Sequence, residues 1–268
     1  MNGATIATIT TRRGIEATVH VRGTAGSPVV WLHGAGGPLP REPLLDALAE
    51  RHVVYSPEWP GYGVQETETE LHDMLDFALH GLDLIDALEL GEAPHVIGHS
   101  MGGMIASEML ALNPSAGASL TLIGAAGLWI DEHPVPDLFS MVPFELAETL
   151  FVDAAAGEKI LTAGLDFSDD QALIGFMVGN ARRMGTAGKI LFPIPNRGLA
   201  GRLYRITCPT LLAWGRQDRM FPPVYGERFQ QLLSSTEAEL VVIDDAGHML
   251  PYERPEAVSA AVTSFIGR

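Results

Sequence analysis

The chain contains the three residue types that together can turn a hydroxyl group into a nucleophile. Ser100 lies within Gly-His-Ser-Met-Gly, Asp218 ends the stretch Gly-Arg-Gln-Asp, and His248 follows further along the chain. A serine hydroxyl reacts poorly at neutral pH unless a base within hydrogen-bond reach takes its proton. Histidine can act as that base, and a carboxylate can hold the imidazole in the required tautomer. We therefore predict that Ser100 is the nucleophile, His248 the base and Asp218 the acid that orients it.

The residues around Ser100 are typical of a tight turn between a strand and a helix. The apolar stretch His-Val-Ile-Gly precedes the serine, and helix-forming residues follow from Met101 onward. Such a turn holds the serine in a strained backbone conformation with its hydroxyl clear of the sheet. We expect Gly98 and Gly102 there because a Cβ atom at either position would collide with the neighbouring strand or helix. The helix N-terminus also predicts that the backbone N–H of Met101 can stabilise an oxyanion.

A second glycine-rich stretch, HGAGG, spans residues 33–37 directly after a continuous apolar run. Glycines at the end of a buried strand let backbone N–H groups face a ligand. An oxyanion needs donors that are in place before the reaction begins. We therefore predict that the N–H of Ala35, or alternatively that of Gly34, completes an oxyanion hole with Met101. A plain turn is the other interpretation of this stretch.

Strand and helix patterns alternate along most of the chain. Apolar runs at residues 27–32, 118–123 and 210–214 predict buried strands. Residues 71–90 carry leucines at helical spacing. This alternation predicts an α/β protein with a mostly parallel sheet and helices on both faces, preceded by an antiparallel hairpin.

The alternation stops between residues 128 and 200, where no Val/Ile-rich strand occurs and helical stretches are predicted instead. These predicted helices span residues 136–151, 156–165 and 169–186. We interpret residues 128–200 as a helical lid. The lid is inserted into a core domain formed by residues 1–127 and 201–268.

Substrate contacts are predicted from residues beside the nucleophile, the base and the HGAGG stretch, and from apolar residues of the lid. The candidates are His33, Gly36, His99, Trp129, Phe139 and Met249. The apolar members favour a small-molecule substrate with an apolar portion. His33 and His99 are interpreted as residues that orient the loops, because one base is sufficient. Arg182 and Arg183 can meet a substrate carboxylate, but a solvated helix face is the favoured interpretation of both.

The chain has 268 residues, and its net charge is −16. This charge argues against binding to nucleic acid or to an anionic membrane surface, since both require clustered Lys and Arg. His72 and His80 lack metal-ligand spacing and are predicted to lie on a solvated helix face. No nucleotide-binding or metal-binding motif points to a cofactor or a metal. With no secretion signal and no apolar run of membrane-spanning length, a cytoplasmic protein is expected.

Several of these stretches together resemble the α/β-hydrolases, in particular the lid-bearing branch that includes esterases, enol-lactonases and carbon–carbon bond hydrolases. The matching stretches are HGAGG (33–37), PGYG (60–63), GHSMGG (98–103), GRQD (215–218) and GHMLPYERPE (247–256). The resemblance implies the α/β-hydrolase fold, with a mostly parallel eight-stranded sheet, helices on both faces and an inserted helical lid. The order Ser, Asp, His is the one expected of this family. In some relatives the acid follows the preceding strand, which makes Asp131 the alternative to Asp218.

The residue types at the site narrow the reaction that the resemblance implies. A serine nucleophile disfavours the dehalogenase and epoxide-hydrolase branches, which carry Asp at that position. Carbon–carbon bond hydrolases typically have Asn before the serine and Trp after the histidine, where this chain has His99 and Met249. We therefore predict a serine hydrolase that cleaves a small carboxylic ester, thioester or lactone.

Two alternatives remain open at this point. One is hydrolytic cleavage of a carbon–carbon bond in a β-dicarbonyl or ring-cleavage-type compound. The other is a catalytically silent ligand receptor on the same fold, against which an intact triad and oxyanion loop argue. The sequence is equally compatible with a monomer and with a homodimer.

Overall fold

An eight-stranded sheet forms the centre of the protein in the computed structural model, which describes residues 4–63 and 70–268 without the side chains of residues 143 and 144. The strands are β1 (Thr5–Thr10), β2 (Glu16–Arg22), β3 (Pro28–Leu32), β4 (Val53–Pro57), β5 (His95–His99), β6 (Ser119–Ile123), β7 (Thr210–Gly215) and β8 (Ala238–Ile243). Their order across the sheet is β1-β2-β4-β3-β5-β6-β7-β8. The pairs β1–β2 and β2–β4 are antiparallel, and the other pairs are parallel. The predicted mostly parallel sheet and the N-terminal hairpin are therefore confirmed.

Helices connect the parallel strands, and two more follow the last strand. They are α1 (Pro43–Leu48), α2 (Met74–Ala87), α3 (Met101–Leu112), α4 (Pro143–Leu150), α5 (Ala154–Leu161), α6 (Asp170–Leu191), α7 (Val224–Leu232), α8 (Leu250–Glu253) and α9 (Pro255–Ile266). Helices α4, α5 and α6 lie between β6 and β7, in the region where the sequence predicts helices without a strand. Helix α6 ends at Leu191, beyond its predicted end at residue 186.

The central strands bury both of their faces, which explains their continuous apolar runs. In β3, Val30 and Leu32 belong to one apolar cluster, and Val29 and Trp31 belong to the other. Residues of α2, α3 and α7 complete the first cluster, whereas residues of α1 and α9 complete the second. Because successive side chains of a strand point to opposite faces, a wholly apolar strand requires helices on both sides.

The carboxyl ends of the parallel strands meet at one edge of the sheet, and the candidate residues follow directly from them. Ser100 follows β5, and His33 follows β3. Asp218 lies just beyond β7, and His248 lies in the loop after β8. Open α/β sheets bind ligands at this edge, so the topology gathers residues that are far apart in sequence.

Helix α3 packs unusually close to the strands beside it. A Cβ atom added to Gly102 would lie 2.0 Å from the carbonyl oxygen of Leu32. One added to Gly98 would lie 2.5 Å from the carbonyl oxygen of Gly102. The expected steric reason for glycine at both positions is therefore confirmed.

His80 corrects one prediction, because it is fully buried in α2 instead of lying on a solvated face. Its ring centroid lies 5.9 Å from that of Trp59. Within the described residues neither ring nitrogen of His80 has a hydrogen-bond partner. Desolvation, together with the charge of Arg13, lowers the pKa of His80 to about 4. His72, which precedes the first turn of α2, is exposed as predicted.

Substitution of Gly102 by alanine tests the close contact between α3 and β3. The new Cβ atom would meet the backbone of Leu32, which cannot swing away, so Gly102→Ala should lower the free energy of unfolding by about 3 kcal/mol. Gly185→Ala is the matched control, since a Cβ atom there meets no atom within 4 Å. Urea unfolding followed by circular dichroism measures the free energy of unfolding of both variants. Equal stability of the two variants would contradict the prediction that a Cβ atom at Gly102 clashes with β3.

The buried His80 predicts a specific dependence of stability on pH. Its pKa is 6.5 as an ordinary histidine and about 4 in the folded protein. As the pH falls, His80 therefore takes up its proton at a higher pH in the unfolded chain than in the folded protein. The free energy of unfolding decreases as the pH drops from 6.5 toward about 4. His80 alone should make the free energy of unfolding about 2 kcal/mol lower at pH 5 than at pH 7.

The variant His80→Leu removes this titration, because it replaces the imidazole by an apolar side chain of similar size. Its loss of unfolding free energy between pH 7 and pH 5 should be smaller than that of the wild type by about 2 kcal/mol. Urea unfolding at both pH values provides the measurement. The same pH dependence in both proteins would show that His80 is not kept neutral by folding.

Candidate active site

Ser100 occupies a strained turn between β5 and α3. Its φ of 52° and ψ of −116° lie in a region that residues other than glycine rarely adopt. The Ser100 N–H donates to the carbonyl of Ile123 over 3.0 Å. The Ser100 carbonyl accepts from the N–H groups of Met104 and Ala126, each over 3.1 Å. These backbone bonds hold the turn in place and fix the direction of the Cα–Cβ bond that carries the hydroxyl group.

The predicted nucleophile, base and acid are connected by hydrogen bonds. Nε2 of His248 lies 2.9 Å from Oγ of Ser100. Nδ1 of the same ring lies 2.9 Å from Oδ2 of Asp218. His248 is almost completely buried, and its ring centroid lies 5.5 Å from that of Phe221. This arrangement can pass the hydroxyl proton from Ser100 to His248 while Asp218 orients the imidazole.

The side chain of Asp218 is fully buried and held by backbone donors in addition to His248. Its Oδ1 accepts from the N–H groups of Met220, over 2.9 Å, and Phe221, over 2.8 Å. A Cβ atom at Gly124 would lie 3.3 Å from both Asp218 Oδ2 and His248 Nδ1. The absence of a side chain at Gly124 therefore leaves room for the acid and the base to meet. The sequence patterns did not indicate this role for Gly124.

The alternative acid lies elsewhere. Asp131 is exposed, and its Oδ1 accepts from Nε1 of Trp129 over 2.9 Å. His248 is hydrogen-bonded to Asp218 instead. The structure thus brings Asp218, and not Asp131, to the histidine.

The predicted oxyanion donors border Ser100. Met101 is the first residue of α3, so its N–H has no carbonyl partner within the helix. A Cβ atom at Gly34 would lie 3.3 Å from the Ser100 Cβ, which places the backbone of the HGAGG stretch against the serine. That stretch turns through a hydrogen bond from Gly37 N–H to the Gly34 carbonyl, and Ala35 lies inside the turn. Binding of an oxyanion by these groups stays a prediction.

His33 is held as a neutral ring by two backbone groups. Its Nδ1 donates to the Gly34 carbonyl over 2.9 Å, and its Nε2 accepts from the Trp59 N–H over 3.3 Å. These contacts fix one tautomer of the neutral imidazole. Burial lowers the pKa of His33 to about 4. The ring therefore connects the HGAGG stretch to the loop before α2, in agreement with an orienting role.

His99 contacts the loop that carries the base. Its Nε2–H donates to the backbone carbonyl of His248 over 3.0 Å, and its ring is stacked on Trp31. Burial, followed by the nearby charge of His248, lowers the pKa of His99 to about 3. A neutral ring at this point adds no positive charge beside His248 and holds its backbone in place.

A cavity of about 570 Å³ opens above Ser100 and His248. The predicted substrate-contact residues His33, Gly36, His99, Phe139 and Met249 line it. Trp129 does not, because it lies with Asp131 and Arg228 in a separate groove beside α7. The structure thus brings together five of the six candidates.

The region between β6 and β7 supplies most of the apolar wall opposite Ser100. Its members include Leu138, Leu146, Leu161, Leu165, Phe176 and Leu191. Met220 and Tyr252 also line the cavity, although neither is among the predicted substrate contacts. Met220 lies just beyond GRQD and Tyr252 lies within GHMLPYERPE, so these two stretches were the available signal.

Glu253 of α8 joins this region to the loop that carries His248. One of its carboxylate oxygens accepts from the N–H of Val152 and the other from the N–H of Gly247, each over 2.7 Å. The N–H of Met249 donates to the Leu150 carbonyl over 3.0 Å in the same place. The connection after α4 is therefore bonded directly to the loop of the base.

Across residues 4–63 and 70–268, no three His, Cys, Asp or Glu side chains are grouped in a way that could hold a metal ion. Over the same ranges, no helix has both the length and the hydrophobicity that crossing a membrane requires.

Comparison with known proteins gives consistent matches along the chain. A sequence profile described as the alpha/beta hydrolase family matches residues 29–261. An esterase of known structure from Rhodococcus sp. has a TM-score of 0.72 at 20% identity, covering 100% of this chain and 99% of that chain. At this level of identity the structural match shows a shared fold alone.

Two similar sequences are named for different activities. The dihydrolipoyllysine-residue acetyltransferase component of the acetoin cleaving system from Pseudomonas putida is 27% identical over 263 residues. That match covers 91% of this chain, which spans only 64% of the relative's length. The 2-hydroxy-6-oxo-6-(2'-aminophenyl)hexa-2,4-dienoic acid hydrolase from Metapseudomonas resinovorans is 24% identical over 267 residues, 95% of this chain and 89% of that protein.

Proposed function

This chain belongs to the alpha/beta hydrolase family, and on that premise we propose that it is a serine hydrolase with Ser100, His248 and Asp218 as its catalytic triad. Its proposed substrate is a small carboxylic ester, thioester or lactone with an apolar portion. The observation that carries the proposal is the pair of 2.9 Å contacts joining Ser100 Oγ, the His248 ring and Asp218 Oδ2. The mostly apolar cavity above the serine supports the choice of substrate.

In the first half of the proposed reaction, Ser100 Oγ attacks the substrate carbonyl carbon while His248 Nε2 takes its proton. The carbonyl oxygen becomes negative, and the N–H groups of Met101 and Ala35, or Gly34 in place of Ala35, stabilise it. The imidazolium then gives its proton to the leaving alcohol or thiol as the tetrahedral intermediate collapses. The product bound to the enzyme is an acyl-Ser100 ester.

In the second half, water attacks the acyl carbon and His248 takes a proton from that water. The second tetrahedral intermediate uses the same oxyanion donors. Its collapse returns the proton to Ser100 Oγ and releases the carboxylic acid. Asp218 stabilises the imidazolium twice in one cycle without taking up the proton itself.

The division of the chain forms part of the same proposal. Residues 1–127 and 201–268 form the catalytic core, and residues 128–200 form a lid that supplies the apolar wall. The position of α4, α5 and α6 between β6 and β7 supports this division. The lid would exclude water and select the acyl group, since the core supplies the reacting atoms. The reaction requires no cofactor, and either a monomer or a homodimer could perform it.

A second candidate is hydrolysis of a carbon–carbon bond, which the name of the Metapseudomonas relative favours. Ser100 Oγ can attack a ketone carbonyl carbon in the same way while His248 takes its proton. The leaving group is then a carbanion stabilised by a second carbonyl, and it is protonated on release. His99 and Met249, at the positions where such hydrolases typically carry Asn and Trp, make this the less favoured reaction.

A fluorophosphonate probe followed by substrate assays distinguishes these functions. We expect one adduct by intact-protein mass spectrometry, mapped to Ser100, and turnover of short-chain p-nitrophenyl esters. An adduct with cleavage of 2-hydroxy-6-oxo-dienoic acids, but not of esters, would replace the ester proposal by the second candidate. Absence of both adduct and turnover would favour a silent ligand receptor.

Ser100→Ala removes the nucleophile and should lower kcat/KM for the best ester by at least about 10⁴-fold. The fold should persist, because the backbone bonds of the turn involve no side-chain atom of Ser100. Ester kinetics and circular dichroism provide the two readouts. A folded Ser100→Ala protein with wild-type turnover would refute the acyl-serine mechanism.

Asp218→Asn should lower kcat by about 10²- to 10⁴-fold, since an amide donor at this position favours the wrong tautomer of His248. Asp131→Asn is the matched control, because Asp131 is exposed and hydrogen-bonded to Trp129. It should retain activity within about twofold. A larger loss in the Asp131 variant than in the Asp218 variant would reassign the acid.

A further inference from the structure

Arg183 of α6 lines the same cavity as Ser100, which corrects the prediction that it lies on a solvated helix face. Its side chain passes over the HGAGG stretch. A Cβ atom at Gly37 would lie 3.2 Å from Cδ of Arg183 and 2.8 Å from Cδ1 of Tyr62. The aliphatic part of Arg183 therefore packs beside the loop that contains the predicted oxyanion donors.

The guanidinium has no anionic partner among the residues that the structure describes. Its Nε is buried and lacks a hydrogen bond there. Arg202 shows the usual arrangement, since its guanidinium forms hydrogen bonds to both carboxylate oxygens of Glu108, at 2.7 and 2.6 Å. An arginine that faces a cavity without such a carboxylate is a ready site for an anion from outside the chain.

Asp137, the other charged side chain that the described residues contribute to the cavity wall, forms no ion pair with Arg183. Asp137 is exposed, and its carboxylate accepts from the Phe139 N–H over 2.9 Å. Burial lowers the pKa of Arg183, because desolvation penalises the charged form. An arginine side chain nevertheless remains a cation near neutral pH. Among the described residues, the cavity wall thus carries two charged side chains, the exposed Asp137 and the unpaired Arg183, and is otherwise apolar or neutral apart from the catalytic groups.

We propose that Arg183 binds a free carboxylate of the substrate, so that the preferred substrates are esters that also carry a carboxylate. The inference rests on the proposed function, since it specifies what the same cavity accepts. The planar guanidinium can donate two parallel hydrogen bonds to one carboxylate. The apolar wall then encloses the short chain that separates this carboxylate from the ester carbonyl.

Half-esters provide the direct test. The substrates are the monoethyl esters of dicarboxylic acids from succinate to pimelate, each compared with the ethyl alkanoate in which a methyl group replaces the carboxylate. The wild type should prefer the anionic member at its best chain length by about tenfold or more in kcat/KM. In Arg183→Gln this preference should disappear, so the ratio of the two kcat/KM values should fall by about tenfold or more. Arg183→Lys should retain part of the preference, because lysine keeps the positive charge but lacks the planar guanidinium that donates two parallel hydrogen bonds.

Arg182→Gln is the matched control, since it removes one positive charge from the neighbouring position of α6 and Arg182 does not line the cavity. It should leave the ratio within about twofold. Equal losses on anionic and neutral esters in Arg183→Gln would indicate a structural role and overturn the proposal. An unchanged ratio, or no preference in the wild type, would overturn it as well.

A binding measurement separates this inference from the proposed function. Calorimetry of the Ser100→Ala protein with monoethyl adipate needs no turnover. Binding that is lost in Ser100→Ala/Arg183→Gln, but not in Ser100→Ala/Arg182→Gln, supports the carboxylate site even if no ester is hydrolysed. Ester turnover without any such binding difference would support the proposed function and reject the role of Arg183.

Discussion

The close approach of α3 to β3 and β5 determines where the Ser100 hydroxyl can stand. The φ of 52° at Ser100 costs about 1–3 kcal/mol in an isolated chain. Three backbone hydrogen bonds to this residue offset that strain. They can form only because Gly98 and Gly102 let backbones approach where any side chain would overlap them. A helix standing further from the sheet would carry Ser100 away from His248, so the site depends on a contact that involves no catalytic atom.

The three histidines near Ser100 differ in what their ring nitrogens contact. His33 has both ring nitrogens on backbone groups, His99 has its Nε2 on one, and burial lowers the pKa of both. They therefore act as fixed dipoles that hold two loops. His248 instead has one nitrogen on Ser100 and the other on Asp218. The ring of His99 lies 5.1 Å from that of His248, and its neutrality avoids repulsion when His248 takes up a proton.

The region between β6 and β7 is hydrogen-bonded to the loop that carries His248 and also lines the cavity above it. Glu253 bonds to backbone groups on both sides, and Met249 bonds to the Leu150 carbonyl. The same region presents Arg183 to the cavity. Changes in this region that alter the fit of a substrate would therefore also act on the loop of the base. This linkage gives a physical reason for substrate choice and catalytic geometry to depend on each other.

Local patterns in the sequence were sufficient for the sheet, the order of its elements and the turn at Ser100, because apolar runs, helical spacing and tight glycine turns depend on neighbours in the chain. Tertiary structure decided which distant groups meet: Asp218 and not Asp131 reaches the histidine, and Trp129 lies outside the cavity. It also decided that His80 is buried and that Arg183 faces inward. Periodicity shows that a helix has two faces, but only packing against other segments fixes its rotation and thus the surroundings of each polar side chain.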